Sequence, residues 1–166
     1  MGSLRRLDPR RRSRIEHAVF VSGVVSMGLE ILAGRMIAPQ FGSSIYTWGS
    51  IIGVFLAALS YGYIRGGREA AEWASEQRIA RLALFTALYI AGVVAAGDLL
   101  LRSAAAAPLP PRFASMPAIL LLFAPPTFFL GYVSPYAAQL SAKDGVGRAS
   151  GHVYAVGTVG SIVGAF

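Results

Sequence analysis

The sequence predicts an all-α fold, a polytopic transmembrane helical bundle of about five spans, and its composition carries this prediction. Of the 166 residues, 55% are hydrophobic and only 14% are charged, with a mean hydropathy of +0.57. Soluble domains carry about 25% charged residues, and a water-soluble chain of this size cannot bury so large an apolar fraction. The chain has no cysteine, which excludes disulfides, thiolate nucleophiles and cysteine-bound metals.

Basic residues are unevenly divided between the two sides of the predicted spans. Twelve of them precede span one or lie between spans two and three or four and five, namely Arg5, Arg6, Arg10, Arg11, Arg12, Arg14, Arg65, Arg68, Arg78, Arg81, Lys143 and Arg148. Only Arg102 and Arg112 fall in the intervening loops. This positive-inside bias predicts a plasma-membrane protein with a basic cytoplasmic N-terminal segment, 1–17, and a transmembrane domain, 18–166. The expected partner is the lipid bilayer, and nucleic acid is not expected because no aromatics interleave the arginines.

Spans one and two are separated by a turn. Span one covers about 18–38 and lacks a nearby cleavage site, so it is predicted to be a retained helix and not a signal peptide. An uncharged turn signal that begins at Pro39 ends it. Span two covers about 48–64, and Tyr46 and Trp48 near its start are typical of aromatics at a membrane interface.

Span three covers about 82–101 and follows a charged connection. Asp98 and Arg102 near its outer end are four residues apart, so they share a helix face and are expected to pair. The preceding stretch, 69–81, mixes both signs of charge and fits either a short amphipathic helix or a solvated loop.

Span four, about 116–140, lies in the uncharged stretch 113–142, which contains 30 residues. As one helix this stretch would measure about 45 Å, longer than a hydrocarbon core of about 30 Å. Pro125, Pro126 and Pro135 fall inside it, and each removes a backbone donor. The span is therefore predicted to be kinked or broken.

Two readings of these prolines remain open. Thr127, Ser134 and neighbouring helices are expected to bond the carbonyls that the prolines free. A structural kink is favoured over the alternative, a discontinuous helix that lines a small-molecule site.

Span five covers about 152–166, and its fifteen residues make only about 22 Å of helix. Because a chain end within the bilayer is costly, this span is predicted to be truncated, and the chain to be a fragment, the product of a truncated reading frame, or a piece cut from a longer protein. Small residues recur in it at a spacing that permits close helix contact. They are Gly157, Gly160, Ser161 and Gly164, for which packing within the chain is favoured and an oligomer is the alternative.

Glu30 is the most informative single residue. It lies about 18 Å into the bilayer if the core begins near Ala18, and an intramembrane carboxylate is by default a functional candidate. Arg35 follows five residues later, about 140° around the helix, which aligns the two side chains poorly. Glu30 is therefore expected to meet another helix or to stay protonated, with a structural interhelical hydrogen bond as an equal alternative.

The candidate substrate-binding residues combine the two intramembrane charges with aromatic side chains. They are Glu30, Arg35, Tyr46, Trp48, Tyr136 and Tyr154. No catalytic residue, metal site or cofactor is predicted, because no nucleophile elbow, phosphate loop or zinc-helix motif is present. His17 and His152 each lack a nearby second ligand in the sequence.

Three blocks carry a family resemblance: SMGLEILAGRMIAP from Ser26 with FGSSIYTW from Phe41, PPTFFLGYVSPY from Pro125, and residues 151–166. Together they resemble the N-terminal membrane region of prokaryotic membrane-bound spermidine-synthase-like proteins. The resemblance implies a transporter-like helical region fused to an aminopropyltransferase-like C-terminal domain. The sequence contains no such domain, with its glycine-rich loop and acidic residues for decarboxylated S-adenosylmethionine and polyamine, so no catalytic residue is transferred.

A second departure weakens the analogy with transporters. Relatives often carry Gly-Gly followed by Ala-Asp-Arg in the second cytoplasmic loop, a pattern similar to that of major facilitator transporters. Here Gly66 and Gly67 are followed by Arg68 and Glu69.

Three hypotheses for the function follow. The leading one is an integral membrane module, itself non-catalytic, that anchors or regulates a soluble transferase-like domain or subunit. The alternative is a transporter-like or binding membrane protein for a polyamine or another cation, which Glu30, the proline-rich fourth span and the aromatics favour. A structural assembly subunit is the third, and only the glycine spacing supports it.

Overall fold

The computed structural model describes residues 9–106, 108, 110–142 and 145–166, apart from the side chains of 111–114. Within these residues the chain forms five α-helices and no strand, which confirms the all-α class. Among the basic residues that predict orientation, Arg5, Arg6, Lys143 and the side chain of Arg112 lie outside the described part. The helices are α1 Pro9–Phe41, α2 Ile45–Trp73, α3 Glu76–Ala105, α4 Pro111–Ser141 and α5 Val146–Gly164.

Four of these helices, α1 to α4, are long and apolar enough to cross a membrane. The 33 residues of α1 measure about 50 Å, so its ends project beyond a hydrocarbon core of about 30 Å. Large apolar side chains cover the outside of the bundle, as on α3, where Leu84, Phe85 and Leu88 are each about 60% exposed. Such a surface suits lipid and not water, and the chain is a multi-pass helical membrane protein.

Helix α4 lies at the centre of the bundle and contacts all four other helices. α5 packs against α1 and α4, and it runs parallel to α1 because His152 lies beside Glu16 and Gly164 beside Val24. The core divides into two clusters, one in each half of the bundle. Phe55 and Phe123 are fully buried in one cluster, and Tyr136 is fully buried in the other.

Every helix begins before its predicted span, and the connections are correspondingly short. Between α1 and α2, Gly42 has a φ of +77°, a conformation open to glycine, and the Ser44 side chain caps α2 by accepting from the backbone N–H of Thr47. The stretch 69–81 is helical except at the junction, where the Ser75 side chain accepts from the Arg78 N–H and caps α3. The structure thus excludes a solvated loop there.

The prolines of span four do not break α4, which is one continuous helix from Pro111 to Ser141. Pro125 lacks the N–H that would bond the Leu121 carbonyl, and the Tyr89 hydroxyl of α3 donates to that oxygen over 2.6 Å. A neighbouring helix therefore supplies the missing donor, as expected. The expectation for Thr127 was wrong, because its buried hydroxyl has no hydrogen-bond partner in the described structure.

Glycines allow α2 and α4 to approach closely. A Cβ atom at Gly62 would collide with the backbone oxygen of Phe128 and lie 3.0 Å from the Cα of Gly131. One turn on, a Cβ at Gly66 would lie 2.9 Å from the Cα of Tyr132. The two backbones are therefore in contact, which is the packing that small residues make possible in membranes.

Candidate functional site

The charged residues that the structure describes are concentrated at one end of the bundle. We call it the basic end and define it as residues 9–17, 65–81 and 146–152, which are the start of α1, the α2–α3 junction and the start of α5. The opposite end carries the exposed pair Asp98 and Arg102, whose Oδ2 and Nε atoms lie 2.8 Å apart. This contact confirms the pairing predicted from their spacing.

Glu69 of α2 connects three helices at the basic end. Its carboxylate oxygens lie 3.7 Å from a guanidinium nitrogen of Arg65, on the same helix, and 4.0 Å from one of Arg78 on α3. The Tyr132 hydroxyl of α4 donates to the same carboxylate over 3.2 Å. A single half-exposed carboxylate therefore joins α2 to both α3 and α4.

Arg78 extends this cluster in two directions. Its guanidinium lies 5.4 Å from the centroid of the Trp73 ring, within the range of a cation–π contact. It also donates to the hydroxyl oxygen of Tyr136 over 3.5 Å. Tyr136, a candidate substrate-binding residue, is only 1% exposed and its ring stands 6.1 Å from that of Tyr132. The structure thus places Tyr136 inside the bundle as part of the packing around Arg78.

Glu76, in the first turn of α3, holds the start of α1. Arg11 Nε lies 2.6 Å from Oε1 of Glu76, and Arg14 Nη1 lies 3.5 Å from Oε2. The Glu76 side chain is 30% exposed, while that of Arg14 is 70% exposed. These contacts attach the basic start of α1 to α3. The closer pair, Arg11 and Glu76, is 65 residues apart in sequence.

Glu16 makes the equivalent connection between α1 and α5. Its Oε1 atom lies 2.8 Å from Arg12 Nε, one turn earlier on α1, and 2.8 Å from His152 Nε2 on α5. His152, for which no second metal ligand was found in the sequence, has this carboxylate as its neighbour. Within the described residues, no group of three His, Cys, Asp or Glu side chains is placed to hold a metal ion.

Glu30 lies half-buried near the middle of α1, next to the core residue Leu29. Among the described residues it has no hydrogen bond or ion pair, so no polar side chain from another helix bonds to its carboxylate. Gly34, one turn on and on the same face, is covered by the Trp48 ring, which a Cβ at Gly34 would meet at 2.6 Å. Glu30 and Trp48 therefore lie on the same side of α1.

The other candidate substrate-binding residues are dispersed. Arg35 is exposed in the half of α1 far from the basic end, and Tyr46 on the first turn of α2 is 64% exposed. Tyr154 is 61% exposed near the start of α5, in the half of the bundle that contains Tyr136. The six candidates therefore do not line one cavity, and Tyr136 and Tyr154 lie in a different half of the bundle from Glu30 and Trp48.

The small residues of α5 pack against α1. A Cβ at Gly160 would collide with the Phe20 backbone oxygen, and one at Gly164 would collide with that of Val24. Gly157 faces the Val19 side chain, 3.4 Å from such a Cβ, and its own backbone oxygen blocks a Cβ at Gly23. The Ser161 backbone nitrogen lies 2.9 Å from a Cβ built at Gly23. These residues form a contact between two helices of the same chain.

The residues that connect the helices at the basic end were not singled out from the sequence. Glu69 and Glu76 lie in a stretch interpreted only as mixed charge, and Glu16 lies in the segment interpreted as basic. The signal available for all three was the presence of acidic residues among many arginines. Which arginine each would meet depends on how the helices pack.

Comparison with family models, curated proteins and solved structures finds no match to this chain.

Proposed function

We propose that the chain is a non-catalytic integral membrane module of a spermidine-synthase-like protein, which anchors or regulates a soluble transferase-like domain. In this proposal the basic end faces the cytoplasm at the plasma membrane. The observation that carries it is the set of interhelical contacts at that end. Glu16, Glu69 and Glu76 together tie all five helices into one charged face.

Such a face suits an anchor for two physical reasons. Contacts between helices fix the geometry of the surface, so a domain docked there would have a defined orientation. The surrounding arginines favour the cytoplasmic side of a membrane, where a transferase that uses cytosolic substrates would operate. The resemblance of three sequence blocks to spermidine-synthase-like proteins supplies the kind of domain proposed.

The proposed orientation predicts a clear pattern of chemical labelling. Because the chain has no cysteine, one engineered cysteine at a time reports its own location. Ser43→Cys lies exposed at the α1–α2 turn, whereas Ser13→Cys and Ala71→Cys lie exposed at the basic end. A membrane-impermeant maleimide applied to intact cells should label Ser43→Cys and leave the other two unlabelled until the membrane is permeabilised. Labelling of Ser13→Cys in intact cells would reverse the orientation.

The anchoring role has a separate test. The natural reading frames around the coding sequence are recovered, and any transferase-like product is co-expressed with the full chain and purified in detergent. Stable co-purification supports the proposal, as does a single continuous frame that encodes both. A neighbourhood with no transferase-like frame contradicts it.

A second function, binding of a polyamine or another small cation, is favoured by one observation. Glu30 is a half-buried carboxylate in an apolar helix, and within the described structure no protein group pairs with it. An intramembrane carboxylate of this kind carries a cost that a cationic ligand offsets. Trp48, on the same side of α1, adds an aromatic surface that attracts cations.

Binding of radiolabelled spermidine to the protein in proteoliposomes tests this second function. Glu30→Gln keeps the shape of the side chain and removes its charge, so we expect affinity to fall at least about tenfold, the loss of one charged hydrogen bond. Glu72→Gln, at an exposed carboxylate of the basic end, is the matched control and should bind as wild type does. Absence of saturable binding, or equal binding by both variants, contradicts the role of Glu30.

A further inference from the structure

An amphipathic groove opens between α1 and α3 at the basic end. Its volume is about 810 Å³. The polar part of the groove is lined by Arg14, Glu76 and Gln77. The apolar part is lined by Ile79 and Ala83. Arg14 belongs to α1, whereas the other four follow one another along α3, from the first turn at Glu76 towards the exposed apolar residues of the span. The groove is therefore polar near the first turn of α3, at the membrane surface, and apolar further along α3, where the helix enters the hydrocarbon core.

The lining of the groove holds one positive and one negative side chain, Arg14 and Glu76, and Arg11 beside the groove adds a second positive charge. Two arginines, Arg11 and Arg14, face the single carboxylate of Glu76. Arg11 makes the close contact at 2.6 Å, whereas Arg14 approaches only to 3.5 Å through one of its nitrogens. A guanidinium has five N–H donors in a planar fork, so the largely exposed Arg14 keeps donors for an oxyanion.

We propose that this groove binds one anionic phospholipid, with the phosphate at Arg14 and an acyl chain along Ile79, Ala80 and Ala83. Charge complementarity selects an anionic lipid, because a zwitterionic headgroup lacks the net charge that the second arginine favours. The apolar part selects a lipid over free phosphate, since only an acyl chain gains from contact with it. The site differs from Glu30 and does not depend on a transferase partner.

Competition between lipids tests the proposal. The full chain is reconstituted in vesicles of equal parts phosphatidylglycerol and phosphatidylcholine and extracted in mild detergent, and co-purified lipid is quantified by mass spectrometry. We expect phosphatidylglycerol to be enriched on wild type and this enrichment to fall about tenfold in Arg14→Gln. Ala80→Leu, which keeps every charge and narrows the apolar part of the groove, should reduce it as well.

Two controls separate a site from general attraction. Arg68→Gln removes the same charge from an exposed position of the basic end outside the groove, and should keep the enrichment. Excess soluble glycerol 3-phosphate should not displace the lipid. Equal losses in Arg14→Gln and Arg68→Gln, no effect of Ala80→Leu, displacement by glycerol 3-phosphate, or no enrichment on wild type would each overturn the proposal.

Discussion

Gly62→Leu is expected to force α2 away from α4 and to lower the free energy of unfolding by about 3 kcal/mol. The substitution places a branched side chain where even a Cβ atom collides with the Phe128 backbone oxygen. The second contact of such a Cβ is the Cα of Gly131, at 3.0 Å. Both obstacles are therefore backbone atoms and not the ends of flexible side chains. Relief therefore requires whole helices to move, and α4 is the helix on which the other four pack.

The same helix provides a matched control. A Cβ at Gly53, which is exposed, meets nothing within 4 Å, so Gly53→Leu adds the same atoms to open space. Both substitutions remove a helical glycine and gain the same intrinsic helix propensity, about 1 kcal/mol. Unfolding of each purified variant is followed by circular dichroism while the fraction of denaturing detergent in mixed micelles is raised. Equal stabilities for the two variants would mean that the α2–α4 contact does not limit the stability of the bundle.

The fold class follows from the sequence because its signals are local. Long apolar stretches, the existence of a turn after span one and the gap in hydropathy before Leu82 can be recognised without knowledge of any neighbour. The turn itself lies later than predicted, because α1 continues through Pro39 to Phe41. The Asp98–Arg102 pair was predictable for the same reason, since one turn of helix fixes its geometry. These expectations concern residues within a few positions of each other.

The contacts between helices could not be read in the same way. The glycine spacing in α5 predicts a close helix contact, yet α2 and α4 also approach closely at Gly62 and Gly131. Periodicity alone does not say which helix face meets which neighbour. Glu76 had several arginines available, and its partners depend on the position of α1 beside α3. The dispersed aromatic candidates show the same limit, because residue type fixes neither depth nor neighbours.

Tyr89→Phe is expected to cost about 1 to 2 kcal/mol of stability, although it removes a single oxygen atom. That hydroxyl donates to the Leu121 carbonyl, which has lost its helical donor to Pro125. In a soluble protein, water would replace the lost donor, but no water is present in the hydrocarbon core. The carbonyl therefore stays unpaired in the variant.

A double-mutant cycle separates this explanation from a general packing effect. Pro125→Ala restores a backbone N–H four residues after Leu121, so the carbonyl no longer needs Tyr89, and Tyr89→Phe in that background should cost less than about 0.5 kcal/mol. Tyr46→Phe, at a 64% exposed tyrosine, controls for loss of a hydroxyl and should change little. Stabilities come from the same micelle titration. If Tyr89→Phe costs the same with and without Pro125, the hydroxyl does not act through the carbonyl that the proline frees, and α4 must remain continuous for another reason.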